Sequence, residues 1–351
     1  MGVVGVVHAV SLCIHVIGRA LAWAEDKNPK HAVKQIDRLL SNDKFAPWPM
    51  FDAWVKYVVG ARDEILVALD WTEFDNDDQS TIALYLITRH GRATPLVWKT
   101  VRKSSLAKRR NGYEDEVIER LHEALADDVR VTLLADRGFG DQKRYEHLDC
   151  LGWDYVIRFR EGILVTNAQG IGKTAAQWLA SSGRPKMLKN VAVTADKSAV
   201  TAVVVVHAPG MKDCWCLATS RAELTASQIV KLYGKRFRIE ETFRDTKDIH
   251  FGMGLSATHI GSPARRDRLL FLAAFACVLL TMLGEAGERA GLDRYLKTNT
   301  SKKRTMSLYN QGSYWFMAIP RMRPERLELL AKAYAEVLQE HAITKEILGV
   351  I

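Results

Sequence analysis

Two short apolar runs in this chain end in an acid: EILVALD at 64–70 and VRVTLLAD at 129–136. A third acid, Glu240, lies in KLYGKRFRIEETFRDTKD (231–248), where Tyr233, Arg236, Glu240 and Lys247 follow one another at intervals of three, four and seven. On a continuous α-helix each residue turns by about 100°, so these four share one stripe about 60° wide, while Glu241 points about 80° to its other side. Carboxylates converging from two strand ends and a helix suit hard, oxygen-liganded divalent cations. Two such ions about 3.5–4 Å apart can activate a water or hydroxyl and stabilise the leaving oxygen of an in-line phosphoryl transfer. An acid at a strand end is often only the start of a loop, and Asp70 alone carries little. The weight comes from the trio taken with the stripe.

The elements that must position these acids are legible in outline. Residues 1 to about 60 read as helical, with an Asn-Pro break. EILVALD, STIALYLIT (80–88) and TPLVWKT (94–100) read as three successive strands of an antiparallel meander. YEDEVIERLHEALADD (113–128) has the spacing of a surface helix, VRVTLLAD is a buried strand, GFGDQKRYEHLDCLG begins a second helix, and DYVIRF (154–159) is a further strand. That order, three strands, helix, strand, helix, strand, is the order of a ribonuclease-H-like α/β core. Residues 160–222 are dominated by strand-type runs and read as a β-rich insertion. Thr225 and Gln228 form a T-x-x-Q capping box, with Leu224 and Ile229 as its hydrophobic staple, so the helix bearing the stripe starts just before 226. PERLELLAKAYAEVLQEHA closes the chain as a helix, on which Leu327, Leu330, Ala331, Tyr334 and Leu338 form an apolar face.

Composition narrows the classes. The 351 residues are 48% hydrophobic and 26% charged, an ordinary globular balance, and the net charge of +9 agrees with a polyanionic partner. The cysteines (13, 150, 214, 216 and 277) are odd in number and form no C-x-x-C pair, which speaks against zinc and a disulfide framework and for a reduced cytoplasmic setting. LLFLAAFACVLLTML (269–283) is fifteen residues, short of the roughly 20 of a span, and reads as a buried helix. GIGKT (170–174) ends like a phosphate loop, but Asn167 stands where the first glycine is required. Glu73, Asp75, Asp77 and Asp78 read as a solvated acidic loop, and the basic runs 103–110 and 301–305 as either solvated faces or DNA-tracking surfaces.

The stripe Y-x-x-R-x-x-x-E-x-x-x-x-x-x-K, with Asp70 in VALDWTEF and Asp136 in the turn LLADRGFGD, resembles the signature of the DDE transposases of bacterial insertion-sequence family four. The resemblance runs from about residue 30 to 290. It implies Asp70, Asp136 and Glu240 as the catalytic, metal-binding triad, holding two magnesium ions with manganese as a substitute. It implies Tyr233, Arg236 and Lys247 as DNA contacts, and Trp215 in WCLATS as the tryptophan that stacks on a base flipped from the element's end. The implied activity is cut-and-paste transposition by strand cleavage and strand transfer. The implied partners are double-stranded DNA at the element's inverted ends, target DNA, and a second copy of the chain in a synaptic complex, with no membrane and with a cytoplasmic, nucleoid-associated location.

The expected architecture is therefore α/β: a ribonuclease-H-like catalytic core with a β-rich insertion and helical N- and C-terminal regions. Its parts are a helical, DNA-binding region at 1–60, core at 61–159, insertion at 160–222, core with the Glu240 helix at 223–290, and a basic segment and helix at 291–351. Two rivals stay open: a catalytically silent DNA-binding regulator of transposition, and a stand-alone metal-dependent nuclease of the same fold.

Overall fold

Ten strands lie in a single mixed sheet in this computed structural model, which describes residues 1–88, 91–250 and 252–340. Four helices come first: α1 (Gly2–Ala9), α2 (Ile14–Ala24), α3 (Pro29–Ser41) and α4 (Pro47–Val59). Asn28 caps α3 by accepting from the Lys30 and His31 amides, with Pro29 at the first helical position, which explains the Asn-Pro break.

Strands β1 (Glu64–Phe74), β2 (Gln79–Ile87) and β3 (Ala93–Arg102) form the antiparallel meander. Helix α5 (Arg110–Ala124) leads to β4 (Arg130–Ala135), and α6 (Gln142–Cys150) to β5 (Asp154–Phe159). β4 lies parallel to both β1 and β5. The short strands β6 (Leu164–Thr166) and β7 (Gly172–Thr174) then precede β8 (Lys186–Val193), β9 (Ser198–Val206) and β10 (Trp215–Thr219). β10 returns to pair with β5, giving the order β3-β2-β1-β4-β5-β10-β9-β8-β6-β7. The strands after β5 thus extend the same sheet rather than building a second one. GIGKT lies in the β6–β7 hairpin, where Asn167 accepts from the Gln169 and Ile171 amides as a turn residue.

The second half is helical. Thr225 and Gln228 make the reciprocal capping box that opens α7 (Ala226–Gly234). The long helix expected across 231–248 is not continuous: a 3₁₀ turn at 235–237 separates α7 from α8 (Arg238–Lys247). Gly234 stands at this break, where a residue without Cβ favours a change of helical state over regular α geometry.

Helix α9 (Pro263–Arg289), capped by Ser262, is 27 residues long and apolar on most sides. By length and composition it could cross a bilayer, yet it packs against α1, α3, α4, β3, α10 (Leu308–Ala318) and α11 (Pro324–Glu340). A helix hydrophobic all round is one surrounded on all sides. Its crossing with α10 is glycine on glycine: a Cβ on Gly284 or Gly312 would lie within 2 Å of the facing helix's carbonyl oxygen. On α11, Leu330, Ala333 and Val337 pack with Met282, Leu283 and Ala286 of α9, so part of the apolar face expected there is satisfied within the chain, while Leu327 and Ala331 stay exposed. The last two residues of the expected terminal helix, 341–342, lie outside the described residues.

Candidate active site

Register places the first two acids. β1 and β4 run parallel with Leu69 opposite Ala135, so Asp70 and Asp136, each the next residue, stand side by side. β4 stops there, but β1 runs on to Phe74 with Asp70 paired to Ala83 of β2, so Asp70 lies within its strand rather than closing it as expected. Both strands are held there by apolar side chains, Val67, Leu69, Leu133 and Leu134 among them, all fully buried. After Asp136 the chain turns at once into a 3₁₀ turn (137–139), and the Asp136 carboxylate accepts from the Arg137 amide at 2.7 Å.

The third acid arrives from the other half. Arg236, in the turn between α7 and α8, is buried, with only 5% of its side chain exposed. Its guanidinium lies 3.1 Å from Asp70 Oδ2, 2.9 Å from Glu240 Oε1 and 3.8 Å from Asp136 Oδ2. One cation therefore gathers three carboxylates drawn from β1, the β4 end and α8. Tyr233, fully buried on α7, donates its hydroxyl to Asp136 Oδ1 at 3.2 Å. Glu240 is the most open of the three acids, with 52% of its side chain exposed against 23% for Asp70.

The charge balance marks Asp70. Burial, with the added repulsion of Asp136 and Glu240, pushes its carboxyl up to about 6, against the opposing pull of Arg236 and the Trp71 amide. Burial likewise raises the Tyr233 phenol. Arg158 of β5 stands beside Asp136 at 3.9 Å and also faces Asp213 at 3.6 Å. Arg158 is not among the residues expected from the sequence, although a charged side chain inside the apolar strand DYVIRF is a local sign of it. The Nε atoms of Arg236 and Arg158 are both buried and have no partner.

The other expected site residues sit around this cluster. Trp215, at the start of β10, packs edge-on to Tyr233 at 4.9 Å and beside Phe237 at 5.9 Å, on the flank of the arginine turn. Lys247, at the far end of α8, does not join the acids. Its ammonium donates to Glu73 O at 2.7 Å and Thr72 Oγ1 at 3.2 Å, tying α8 to the outer end of β1, and burial lowers its pKa. Glu241 turns outward to Arg244 and Arg92. Among the described residues no group of three or more acidic, His or Cys side chains is arranged to hold a metal ion; Arg236 lies within 4 Å of each of the three acids. A cavity of about 430 Å³ lies behind α8, lined by Tyr85, Thr242, Phe243, Leu270 and Cys277 among others, and none of the three acids lines it.

In the acidic loop Glu73, Asp75 and Asp78 are exposed as expected, while Asp77 is half-buried. Asp77 pairs with Arg266, whose side chain is 0% exposed, and accepts from the Ile260 amide at 3.0 Å. Asp78 accepts from Ser104, and Glu73 and Asp75 share Lys103. Asp77 ties this loop to the start of α9 through Arg266.

A family model described as a transposase DDE domain matches residues 100–279, just over half of the chain. Asp136, Tyr233, Arg236, Glu240 and Lys247 fall inside the matched span, and Asp70 precedes it. No curated protein matches the chain.

Proposed function

The chain belongs to the transposase DDE-domain family, and from that premise we propose that it is a DNA transposase that cleaves and joins the ends of an insertion sequence by metal-dependent phosphoryl transfer. The observation that carries this reading is the convergence of Asp70, Asp136 and Glu240, from three separate elements, on one buried guanidinium. The core order, with β1–β3 antiparallel and β4 and β5 parallel to β1, agrees with a ribonuclease-H-like fold.

The donor set fits divalent magnesium or manganese by its chemistry: three carboxylates, no thiol or imidazole among them, carrying more negative charge than Arg236 balances. Asp70, Asp136 and Glu240 would hold two such ions, which when bound supply an activated water or 3′ hydroxyl and stabilise the leaving oxygen. The chain's own side chains do the rest. Tyr233 orients the Asp136 carboxylate through its O–H donor. Arg236 keeps Asp70 and Glu240 in register before substrate arrives; buried among the carboxylates, it would reach a phosphate of the DNA end only once released from them, and Lys247 would be a second cationic contact. Trp215, on the rim beside Phe237, is the stacking platform for a displaced base. The substrates are the element's inverted ends and target DNA, held by two copies of the chain, and the setting is cytoplasmic, on nucleoid DNA.

Cleavage of labelled element ends in magnesium tests this. Asp70→Asn, Asp136→Asn and Glu240→Gln should each lower cleavage by roughly a thousandfold or more, as loss of a group acting in a unit does, while end binding by gel shift stays nearly unchanged. Glu241→Gln should be far milder. A Glu240→Gln chain that cleaves normally would overturn the proposal. Wild-type chain that binds ends without cutting would be a regulator, and one that cuts any duplex without joining would be a nuclease.

A further inference from the structure

On the face of β1 opposite Asp70, a second ion pair has no part in the proposed reaction. Glu114 of α5 and Arg144 of α6 meet at 2.8 Å with both side chains only 3% exposed. Taking two charges out of water is costly, and apolar replacements for such a pair are often equally stable, so stability alone is a weak account of it. Its connections offer a better one. Glu114 uses both oxygens: Oε2 accepts from Arg144, and Oε1 accepts from the indole N–H of Trp71 at 2.8 Å.

Both partners lead back to the acids. Trp71 follows Asp70 in β1, and its backbone amide donates to Asp70 Oδ1 at 2.9 Å. Alternation along the strand sends the Trp71 ring to the α5 side while the Asp70 carboxylate faces Arg236 and α8. Arg144 lies in the first turn of α6, which is capped by Asp141 directly after the 3₁₀ turn that carries the Asp136 backbone onward. Its amide donates to Asp141 O at 3.0 Å, and its guanidinium also pairs with Asp115. Arg110 stacks over Trp71 at 5.0 Å, closing the outer side of the indole.

We infer that Glu114 is a positioning residue: with Trp71 and Arg144 it braces the stretch of β1 bearing Asp70 to the helix that follows Asp136, and so fixes the relation of the two carboxylates from behind the sheet. The inference rests on the reading of Asp70 and Asp136 as the metal-holding acids. Displacement of a reacting group by about 1 Å can cost on the order of a hundredfold in rate, so a brace behind the site has leverage on it. Two features make the brace specific. A buried carboxylate with both oxygens engaged cannot shift toward one partner without leaving the other. The indole offers one donor in one direction, so the rotation of Trp71 is set by that bond.

The test uses the full chain with Trp71→Phe, which keeps an aromatic ring but removes the N–H, and Glu114→Gln, which keeps the shape but removes the charge facing Arg144. Three quantities are read: calorimetric binding of Mn²⁺ to the chain, the Mn²⁺ concentration for half-maximal cleavage of a labelled end, and the unfolding temperature. Binding should weaken, and the Mn²⁺ requirement rise, by about tenfold in both variants, with end binding by gel shift unchanged. A double variant, Glu114→Leu with Arg144→Met, should recover the unfolding temperature lost by Glu114→Gln but not the Mn²⁺ affinity. If the unfolding temperature falls in the single variants while Mn²⁺ binding and its requirement stay at wild-type values, the pair is only structural and the inference is wrong. Asp70→Asn, measured in parallel, separates the two levels: if it leaves Mn²⁺ binding intact, the reading of the triad has failed, whatever the brace does.

Discussion

Two acidic clusters lie along β1 and just past its end, and they are neutralised in opposite ways. At its outer end Asp77 has Arg266 and the Ile260 amide, Asp78 has Ser104, and Glu73 and Asp75 have Lys103. Most of those bonds tie the loop to another element, as Asp77 does to α9. Around Asp70, three carboxylates share Arg236, with Arg158 at the edge of contact with one of them. The first arrangement spends charge on holding elements together. The second keeps negative charge in excess where the fold does not need it, at a cost in stability. Surplus like charge gathered by the backbone is the signature of a site that expects a cationic partner.

The largest test of this contrast is Asp77→Ala. It leaves a buried guanidinium unpaired, so stability should fall by about 3 kcal/mol in chemical denaturation, while cleavage per folded molecule is unchanged. Asp70→Asn should do the reverse. Cleavage is lost, yet the midpoint of denaturation stays put or rises, by about 0.5–1 kcal/mol at most, as like-charge repulsion is relieved. Were Asp70→Asn the more destabilising of the two, the contrast would be broken.

Acid titration sharpens it further. Burial would raise the Asp77 carboxyl, but the Ile260 amide, His259 and Arg266 outweigh it and hold it below the ordinary value of 3.8. Its stabilisation is thus present above about pH 4 and is lost as pH falls through the folded value. Asp70 has the opposite sign. Between 3.8 and about 6 the folded chain holds a proton that the unfolded chain has released, so stability declines as pH rises through that window. In metal-free buffer, Asp70→Asn should flatten that decline, and Asp77→Asn should flatten the loss at lower pH. The smallest effect expected is for Lys103→Ala, an exposed pairing whose removal should leave the thermal unfolding midpoint nearly unchanged.

What the sequence discloses follows the range of the physics. Asp70 and Asp136 stand out because apolar runs ending in an acid are local patterns, and parallel pairing then makes them neighbours. The capping box at Thr225 is equally local. The stripe on 233–247 is only partly legible: the 3₁₀ turn at Arg236 changes the angular step that the spacing assumes, and it brings Arg236 and Glu240 to the acids while Lys247 reaches the far end of β1. The pairing of Asp77 with Arg266 across 189 residues has no local trace at all. Nor has the link from Trp71 through Glu114 to Arg144, which joins three elements and reads from the sequence as unremarkable strand and helix surface. The mixed α/β class was readable from element order, whereas the fusion of all ten strands into one sheet depends on β10 finding β5.

The distance along the chain between the parts of the cluster has a consequence for its birth. Arg236 follows Asp70 by 166 residues, and the strands between them must pair before α8 has a surface to dock on. At roughly 5–20 residues per second, a ribosome takes on the order of ten to thirty seconds to make that interval. Through the last 100 residues of that interval Asp70 and Asp136 have neither Arg236 nor their third carboxylate. A growing chain therefore carries an incomplete cluster for part of its synthesis, and a message cut short before codon 236 yields the first two acids without Arg236 or Glu240.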